Sequence, residues 1–203
     1  MASQHIQRLI QVYLNATTTR TGNYYTTINE LSDQVPAMRP DTLISAATSL
    51  ISLGPVHADK ILCEEDKAAS LAGVISLFTF LPLAMSRWYP YPFPCGLEVP
   101  LKMEYFDGNL YTNGINESDK VLIIDDTLST GGTLIALAES VRQAKAEVSD
   151  IRVVVEKIGN GGRQRIKDVL GIDVKAVLGI SIDQSGNISL EEILGKPFEE
   201  YSH

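Results

Sequence analysis

One stretch of the sequence combines the residue types that hold a phosphate and a sugar. The apolar run Val121–Ile124 leads into two carboxylates, Asp125 and Asp126, and then into a loop of hydroxyls and glycines, Ser129–Thr133. Glycine lets a backbone approach an oxyanion closely, and successive N–H groups before a helix form an anion site. The two aspartates are acceptors suited to a vicinal diol. The stretch therefore predicts a site for a sugar phosphate.

A structural interpretation of the same residues stays open. Asp126 can cap a turn, and Gly131 and Gly132 can permit tight packing without any ligand. The position after a buried strand favours a binding site, because ligands of doubly wound sheets bind outside the carboxyl ends of the strands. Other phosphate loops fit worse, since the chain has neither G-x-x-x-x-G-K-[ST] nor G-x-G-x-x-G directly after a strand.

The elements that position this stretch alternate between strand and helix. Apolar runs predict strands at Lys60–Cys63, Leu83–Met85, Lys120–Ile124, Ile151–Val155 and Val174–Leu178. Helical spacing predicts helices at Pro40–Ser52, Lys67–Phe78, Gly132–Ala144 and Gly162–Leu170. Continuous apolar strands are typical of parallel sheets that are covered on both faces. The pattern therefore predicts a doubly wound α/β fold.

The flanking segments predict a small cover over this domain. We expect residues 1–40, with a helix over Ile6–Tyr13 and a strand at Tyr24–Ile28, to form a hood. Residues 41–183 then form the α/β core, and residues 184–203 form a tail that belongs to the hood.

Prolines and aromatic residues alternate between Trp88 and Pro100. This spacing predicts a loop with no regular strand pairing, either a lid over the site or a plain connection. After it, Lys102–Tyr105 and Asn109–Thr112 predict a hairpin that turns at Asp107 and Gly108.

Composition argues against several classes of partner. The chain has 17 Lys and Arg against 25 Asp and Glu in 203 residues, a formal net charge of −8. Clustered basic residues drive binding to duplex nucleic acid, so we expect no nucleic-acid partner. Met1–His5 lacks the features of a signal peptide and the chain has 2 cysteines, so we expect a cytoplasmic protein.

The uncharged run from Ala68 to Ser86 is about as long as a membrane span. Hydroxyl side chains dilute it and Pro82 interrupts it, which favours a helix followed by a short strand. We therefore expect no contact with a membrane.

Val121–Thr133 resembles the phosphoribosyl-pyrophosphate (PRPP) motif of the type I phosphoribosyltransferases, and the resemblance extends from about Gly22 to Ile182. The chain is most similar to the archaeal-type hypoxanthine/guanine and adenine enzymes. The similar segments are Tyr24–Tyr25, Asp33–Pro36, Glu64–Lys67, Leu110–Gly114, Glu156–Lys157 and Gly161–Arg163. The resemblance implies a mainly parallel five-stranded core with a hood, and transfer of phosphoribosyl from PRPP to a purine in purine salvage. It also implies Mg²⁺ as cofactor and a homodimer.

The resemblance also assigns roles to residues. It implies that Ser129, Thr130, Gly131, Gly132 and Thr133 hold the 5′-phosphate, while Asp125 and Asp126 face the ribose hydroxyls. Glu65, Asp66, Lys67 and Ala68 match the pyrophosphate loop, and Arg87 matches an arginine that reaches the pyrophosphate. Catalysis then depends on Asp125, Asp126, Lys67 and Arg87. Mg²⁺ arrives on PRPP, with Asp126 as its contact on the protein. A simpler interpretation of the charged loop, as a cap on the next helix, stays open.

Lys157 matches a lysine that donates to the exocyclic oxygen of 6-oxopurines. An ammonium has donors and no acceptor, so it suits that oxygen better than the amine of adenine. Tyr25, Tyr91 and Phe93 are candidates for stacking on the base. The alternative for Lys157 is an ion pair with Glu156.

Trp88 departs from the family, which often has a basic residue at that position. Trp cannot neutralise a leaving group, so two other functions stay open. One is a non-catalytic regulator that senses PRPP; the other is a phosphoribosyltransferase for a non-purine heterocycle.

Overall fold

The computed structural model describes residues 2–90, 96–102 and 107–198. Its helices are α1 (Ala2–Leu14), α2 (Pro40–Ser52), α3 (Ala69–Thr79), α4 (Gly132–Gln143) and α5 (Gly162–Leu170). Its strands are β1 (Thr17–Thr21), β2 (Tyr24–Ile28), β3 (Lys60–Glu64), β4 (Leu83–Arg87), β5 (Leu97–Lys102), β6 (Asp107–Thr112), β7 (Lys120–Leu128), β8 (Glu147–Lys157), β9 (Val174–Ile182), β10 (Ile188–Ile193) and β11 (Lys196–Pro197).

A nine-stranded sheet in the order β11-β10-β9-β8-β7-β3-β4-β6-β5 forms the centre of the fold. The strands β9, β8, β7, β3 and β4 pair in parallel with their neighbours in that series. These are the strands that the apolar runs predict, so the predicted parallel core and the α/β fold class are confirmed.

Helices cover both faces of this sheet because alternate residues of its strands are apolar on both sides. Leu122 and Ile124 belong to a buried cluster with side chains of α1, α2 and α3. Val121 and Ile123 belong to a second cluster with side chains of α4 and α5. The doubly wound arrangement places every connecting loop that follows a parallel strand at one edge of the sheet.

The prediction of an unpaired connection up to Pro100 was wrong. Val99 pairs with Leu110, and Pro100 with Asn109, in the antiparallel pair of β5 and β6. β5 is an edge strand, where proline is tolerated because no neighbour needs its missing N–H. The lid or connection falls partly outside the described residues, as do Tyr91 and Phe93.

The predicted hairpin is present but its turn was misplaced. Asp107 pairs with Lys102 and Gly108 with Leu101, so both residues of the predicted turn lie inside β6. Tyr105 lies outside the described residues. The D-G pair is a turn signal only where the chain needs to reverse, and here strand pairing continues through it.

Two central strands extend beyond their predicted ends. β7 continues through Asp125 to Leu128, and β8 continues to Lys157, because pairing with the neighbouring strand continues there: Asp125 pairs with Val153 and Lys157 with Ile180. The candidate site residues Asp125, Asp126 and Lys157 are therefore held by the sheet itself and not by flexible loops.

The terminal segments contain one predicted helix and one predicted strand, together with strands that the apolar pattern did not predict. The predicted helix over Ile6–Tyr13 lies within α1, and the predicted strand Tyr24–Ile28 is β2. The strands without a signal are β1, which pairs antiparallel with β2 in a separate sheet, and β10, which pairs antiparallel with β9 towards one edge of the central sheet. Ile6, Leu9 and Tyr13 of α1 are buried in the same cluster as Ile124. The division of the chain at residues 40 and 183 stays a prediction. None of the helices in the described parts of the chain is long and apolar enough to cross a membrane.

Candidate active site

Side chains from the carboxyl ends of β3, β7 and β8 line one cavity of about 120 Å³. This edge is where ligands bind in doubly wound sheets. Most of the predicted site residues lie in its wall, namely Asp66, Lys67, Asp125, Asp126, Ser129, Thr130, Gly131, Gly132, Thr133 and Lys157. Folding therefore brings three distant segments of the sequence to one place.

The loop between β7 and α4, Ser129–Gly131, is shaped for an anion. Gly131 has a φ of +81° and caps α4 in a left-handed conformation that residues with a side chain rarely adopt. Backbone N–H groups at the start of α4 have no partner within the helix, and the helix dipole adds partial positive charge there. The β7–α4 loop can therefore hold a phosphate without a lysine.

The segment before and within α5 supports this loop from behind. Asn160 donates its side-chain amide to Ser129 Oγ at 2.6 Å, and Arg165 donates to the Thr130 carbonyl at 3.1 Å. A Cβ on Gly162 would lie 2.1 Å from the Ser129 carbonyl oxygen, so only glycine permits this approach. Sequence reasoning gave Asn160 and Arg165 no role, since they are far from the loop in the chain.

The two aspartates of β7 lie almost wholly inside the protein, with 6% of Asp125 and 4% of Asp126 exposed. Asp125 accepts a hydrogen bond from the Asp126 backbone N–H at 2.9 Å, and Thr127 donates its hydroxyl to Asp126 at 2.9 Å. Burial, with the Asp126 carboxylate close by, raises the pKa of Asp125 well above its usual range. Because two nearly buried carboxyl groups face this cavity, it favours a ligand that brings hydroxyl donors or a cation.

The turn between β3 and α3, Glu65–Ala68, carries the charges of the opposite wall. Lys67 Nζ lies 2.7 Å from Asp33 Oδ1, so an acid of the N-terminal segment holds it. Arg87 and Glu65 form a longer ion pair, 3.6 Å from Nε to Oε2. Trp88 donates its indole N–H to Glu64, and its backbone N–H to Glu65 Oε1 at 3.1 Å.

Four predicted residues lie beside this cavity and not in its described lining: Glu65, Ala68, Arg87 and Tyr25. Ala68 is buried at the start of α3. Conversely, Glu64 and Trp88 line the cavity although neither was among the predicted site residues. The position of Glu64 directly after a buried strand was a signal that could have identified it.

Lys157 separates this cavity from a second one of about 580 Å³ and contributes to both linings. Its Nζ donates to the Tyr25 carbonyl at 2.8 Å, which ties β2 to the end of β8. Tyr25 lines the second cavity and donates its hydroxyl to the Gln184 carbonyl at 2.7 Å. The two predicted base-binding residues are thus neighbours, beside the cavity that contains the aspartates.

No group of three or more His, Cys, Asp and Glu side chains in the described parts of the chain is arranged to hold a metal ion. Asp66 and Asp126 nevertheless present carboxylates to the cavity. Mg²⁺ normally binds through one or two carboxylates together with substrate phosphates, so these donors fit it.

Comparison with known proteins identifies the family. No model of a protein family matches the chain. A hypoxanthine/guanine phosphoribosyltransferase of Methanothermococcus okinawensis is 37% identical over 161 residues, 79% of this chain and 87% of the relative. One of Methanosalsum zhilinae is 32% identical over 188 residues, 93% of this chain and 97% of the relative. The chain belongs to the phosphoribosyltransferase family.

Solved structures show the same fold for this phosphoribosyltransferase. An adenine phosphoribosyltransferase of Rhodothermus marinus has a TM-score of 0.71 at 22% identity, covering 87% of this chain and 99% of the other. That of Saccharomyces cerevisiae has a TM-score of 0.68 at 18% identity, covering 85% and 97%. The predicted resemblance to the type I phosphoribosyltransferases is therefore confirmed.

Proposed function

We propose that this phosphoribosyltransferase moves the 5-phosphoribosyl group of PRPP to a purine base, with release of pyrophosphate, and that 6-oxopurines are preferred to adenine. One observation supports this most strongly: the buried acids of β7 and the anion loop at the start of α4 share one cavity with Lys157. A phosphate, a diol and a flat base can thus be bound side by side. The curated relatives named above carry hypoxanthine and guanine in their names.

In this proposal the β7–α4 loop binds the 5′-phosphate, with its backbone N–H groups and the hydroxyls of Ser129, Thr130 and Thr133. Asp125 and Asp126 accept hydrogen bonds from the ribose hydroxyls. These contacts fix the sugar, so that C1′ stays in line between the attacking nitrogen of the base and the departing pyrophosphate. The carboxylates also favour the positive charge that develops on the ribose ring as the bond to pyrophosphate breaks.

The β3–α3 turn binds the pyrophosphate through Lys67, and Arg87 approaches it from the end of β4. The leaving group gains negative charge as the bond breaks, and cations at fixed positions stabilise that charge. Bound Mg²⁺ would neutralise further charge on the phosphate oxygens. Asp126 and Asp66 are the carboxylates suited to hold it, together with oxygens of PRPP.

Lys157 selects the base. Its ammonium already donates to a carbonyl oxygen, that of Tyr25, and the exocyclic oxygen of hypoxanthine, guanine or xanthine is an acceptor of the same kind. Adenine offers an amine in that position, which cannot accept. The cavity next to Lys157 and Tyr25 has room for a flat ring. A homodimer and a cytoplasmic location stay predictions.

The first experiment measures pyrophosphate release from PRPP and Mg²⁺ with hypoxanthine, guanine, xanthine and adenine, one at a time. Faster turnover with a 6-oxopurine than with adenine would support the proposal. PRPP binding without turnover of any base would instead support a regulator or a non-purine acceptor, the functions that the Trp88 departure leaves open.

Asp126→Asn tests the ribose site. The amide keeps the size of the side chain but loses its charge, so we expect turnover to fall by about 100-fold or more. An unchanged unfolding temperature would show that the fold is intact. Near-normal turnover would remove Asp126 from the PRPP site.

Lys157→Ala tests base selection. We expect kcat/KM to fall at least about tenfold more with hypoxanthine than with adenine, because only the oxygen acceptor loses a donor. The ratio between the two bases does not depend on how much of the variant folds. Lys175→Ala is the matched control, since Lys175 pairs with Asp150 at 2.8 Å in the same sheet and lines neither cavity. An equal loss for both bases would contradict the assignment.

A further inference from the structure

Glu64 is a buried carboxylate in the wall of the site to which the proposed mechanism gives no task. It ends β3, is 5% exposed, and lines the cavity with Asp125 and Asp126. An acid beside the binding site of a polyanion repels the ligand unless other groups orient it and satisfy it. The residues that bind Glu64 are therefore informative.

Two donors hold the same oxygen of Glu64. The backbone N–H of Asp66 donates to Oε1 at 2.9 Å, and the indole N–H of Trp88 donates to it as well. Glu64 thus bends the chain at the start of the β3–α3 turn, and Trp88, the residue directly after the neighbouring strand β4, fixes its carboxylate.

Trp88 makes a second contact to this turn. Its backbone N–H donates to Glu65 Oε1 at 3.1 Å, so one residue binds two consecutive glutamates. The ring itself lines the cavity. The β3–α3 turn, which carries Lys67, is thereby fastened to the end of β4 at two points.

The chemistry of indole suits this task. Its N–H is a donor only, and the ring carries no charge at any ordinary pH. It can satisfy a buried carboxylate without offering a charge that would compete with Lys67 for an anion. A rigid ring with few rotatable bonds also holds its partner in one place at a low cost in conformational entropy.

We propose that Trp88 is a positioning residue, which holds Glu64 through its indole N–H and so sets the β3–α3 turn to receive the pyrophosphate end of PRPP. This rests on the proposed function, which assigns pyrophosphate to that turn. This role explains why a tryptophan can stand where the family often has a basic residue: it orders the same site by a different interaction.

The test compares Trp88→Phe with wild type. Phenylalanine keeps a ring in the cavity wall but has no N–H, so Glu64 loses a donor. We expect the dissociation constant of magnesium pyrophosphate and the KM for PRPP to rise about tenfold, the effect of one hydrogen bond to a charged group. The KM for the base should stay within about twofold. Parallel increases in both KM values would show a general structural role and overturn the proposal.

Tyr111→Phe is the matched control. Tyr111 donates its hydroxyl to Glu98 at 3.2 Å on the β5–β6 hairpin, so this variant also removes one donor from a glutamate, but away from the cavity. We expect it to bind pyrophosphate as wild type does. Equal losses in the two variants would overturn the role of Trp88.

The sequence contains a single tryptophan, so fluorescence excited at wavelengths where tyrosine does not absorb reports on Trp88 alone. We expect Glu64→Ala to shift the emission of the free protein, and to weaken pyrophosphate binding at least as much as Trp88→Phe does, because it also removes the acceptor of the Asp66 N–H. The double variant should bind no worse than Glu64→Ala alone, because that variant already lacks the contact between Glu64 and Trp88. Additive losses, or an unshifted emission, would overturn the contact.

The same measurements separate failure of this inference from failure of the proposed function. Normal turnover and binding by Trp88→Phe, in an assay where wild type is active, would overturn the positioning role alone. A wild-type protein that neither turns over PRPP nor binds it or pyrophosphate would overturn both.

Discussion

The two walls of the active site are built on different physical principles. The β7–α4 loop uses backbone N–H groups and hydroxyls, and α5 packs directly behind it, with Gly162 against the Ser129 carbonyl. The opposite wall, formed by the β3–α3 turn and the end of β4, has charged side chains that already bind carboxylates: Lys67 of the turn binds Asp33, and Arg87 of β4 binds Glu65. In the proposed function the cations of the second wall exchange these carboxylates for pyrophosphate, whereas the first wall needs no such exchange.

This difference matches what each wall is proposed to bind. The 5′-phosphate stays on the sugar throughout the reaction, so a rigid site costs nothing in turnover. Pyrophosphate must be held in the transition state and then released. Release is favoured because Lys67 and Arg87 can pair again with Asp33 and Glu65. Interactions that are stronger in the transition state than in the ground state are the ones that accelerate the chemical step.

Gly162→Ala disturbs the wall formed by the β7–α4 loop and has the largest expected effect. The added Cβ overlaps the Ser129 carbonyl oxygen, so the β7–α4 loop must move. We expect kcat/KM for PRPP to fall about 100-fold, because a shift of about 1 Å in a positioning group has that effect on the rate. Pyrophosphate affinity, which depends on the other wall, should change little.

Gly159→Ala is its control. Apart from Gly159 and its two chain neighbours, no atom of the described residues lies within 4 Å of the position of a Cβ on Gly159, so the same chemical change is accommodated there. If both variants bind PRPP equally well, the packing of α5 does not shape the loop, and the contrast between the walls is lost.

Lys67→Ala changes the opposite wall, at the β3–α3 turn, and has a smaller expected effect. Pyrophosphate affinity should fall about tenfold: the variant loses a cation, but part of this loss is offset because wild type must break the ion pair between Lys67 and Asp33 to bind the ligand. Calorimetry at two salt concentrations should show a weaker salt dependence in the variant. Binding of ribose 5-phosphate should not change.

Lys167→Ala serves as the comparison for Lys67→Ala. Lys167 forms an ion pair of the same length, 2.7 Å to Asp173, at the exposed end of α5. A loss of pyrophosphate affinity in this variant, or none in Lys67→Ala, would contradict the assignment of Lys67.

Asp125→Asn has the smallest expected effect and is measured as stability. Its folded-state pKa is raised, so the folded protein binds this proton more tightly than the unfolded chain does. Wild-type stability therefore declines as pH rises above about 4, the ordinary pKa of Asp, whereas asparagine does not titrate. We expect the variant to gain a few degrees in Tm over wild type at pH 8, and less at pH 4.

Thermal unfolding of both proteins at the two pH values checks this. Asp168→Asn, on the exposed face of α5, removes a carboxylate of the same type where burial adds no cost. A Tm difference for Asp125→Asn that is the same at both pH values would contradict the raised pKa of the buried Asp125 carboxyl.

Much of the fold and of the rigid wall could be predicted from the sequence. The strands of the parallel core were found because each is a run of apolar residues, and this pattern is local. Asp125, Asp126 and the residues of the β7–α4 loop are contiguous, so their types and order were visible as one motif. The same reasoning placed Lys67 and Lys157 after strands of the core, and both line the cavity.

The edge strands could be predicted only in part in this way. The predicted strand Asn109–Thr112 lies in β6, but β5 contains Pro100, and Asp107 and Gly108 of β6 resemble a turn, so local propensities opposed the rest of these strands. Pairing with a neighbouring strand outweighed them, because β5 and β6 satisfy each other's backbone groups over six residue pairs. Strand pairing is a property of two segments, and one segment does not reveal it.

The sequence by itself determined the groups that the proposed chemistry requires: a loop suited to an anion, two acids on a buried strand, and cations after two other strands. Each of these groups lies within or directly after one predicted strand, so its spacing along the chain is enough to place it at the end of that strand. Only the tertiary structure decided which partners hold them, such as Asp33 for Lys67, Asn160 for Ser129, and Trp88 for Glu64. These pairs join segments that are distant in the chain, and the packing of the whole sheet and its helices sets the distances between them.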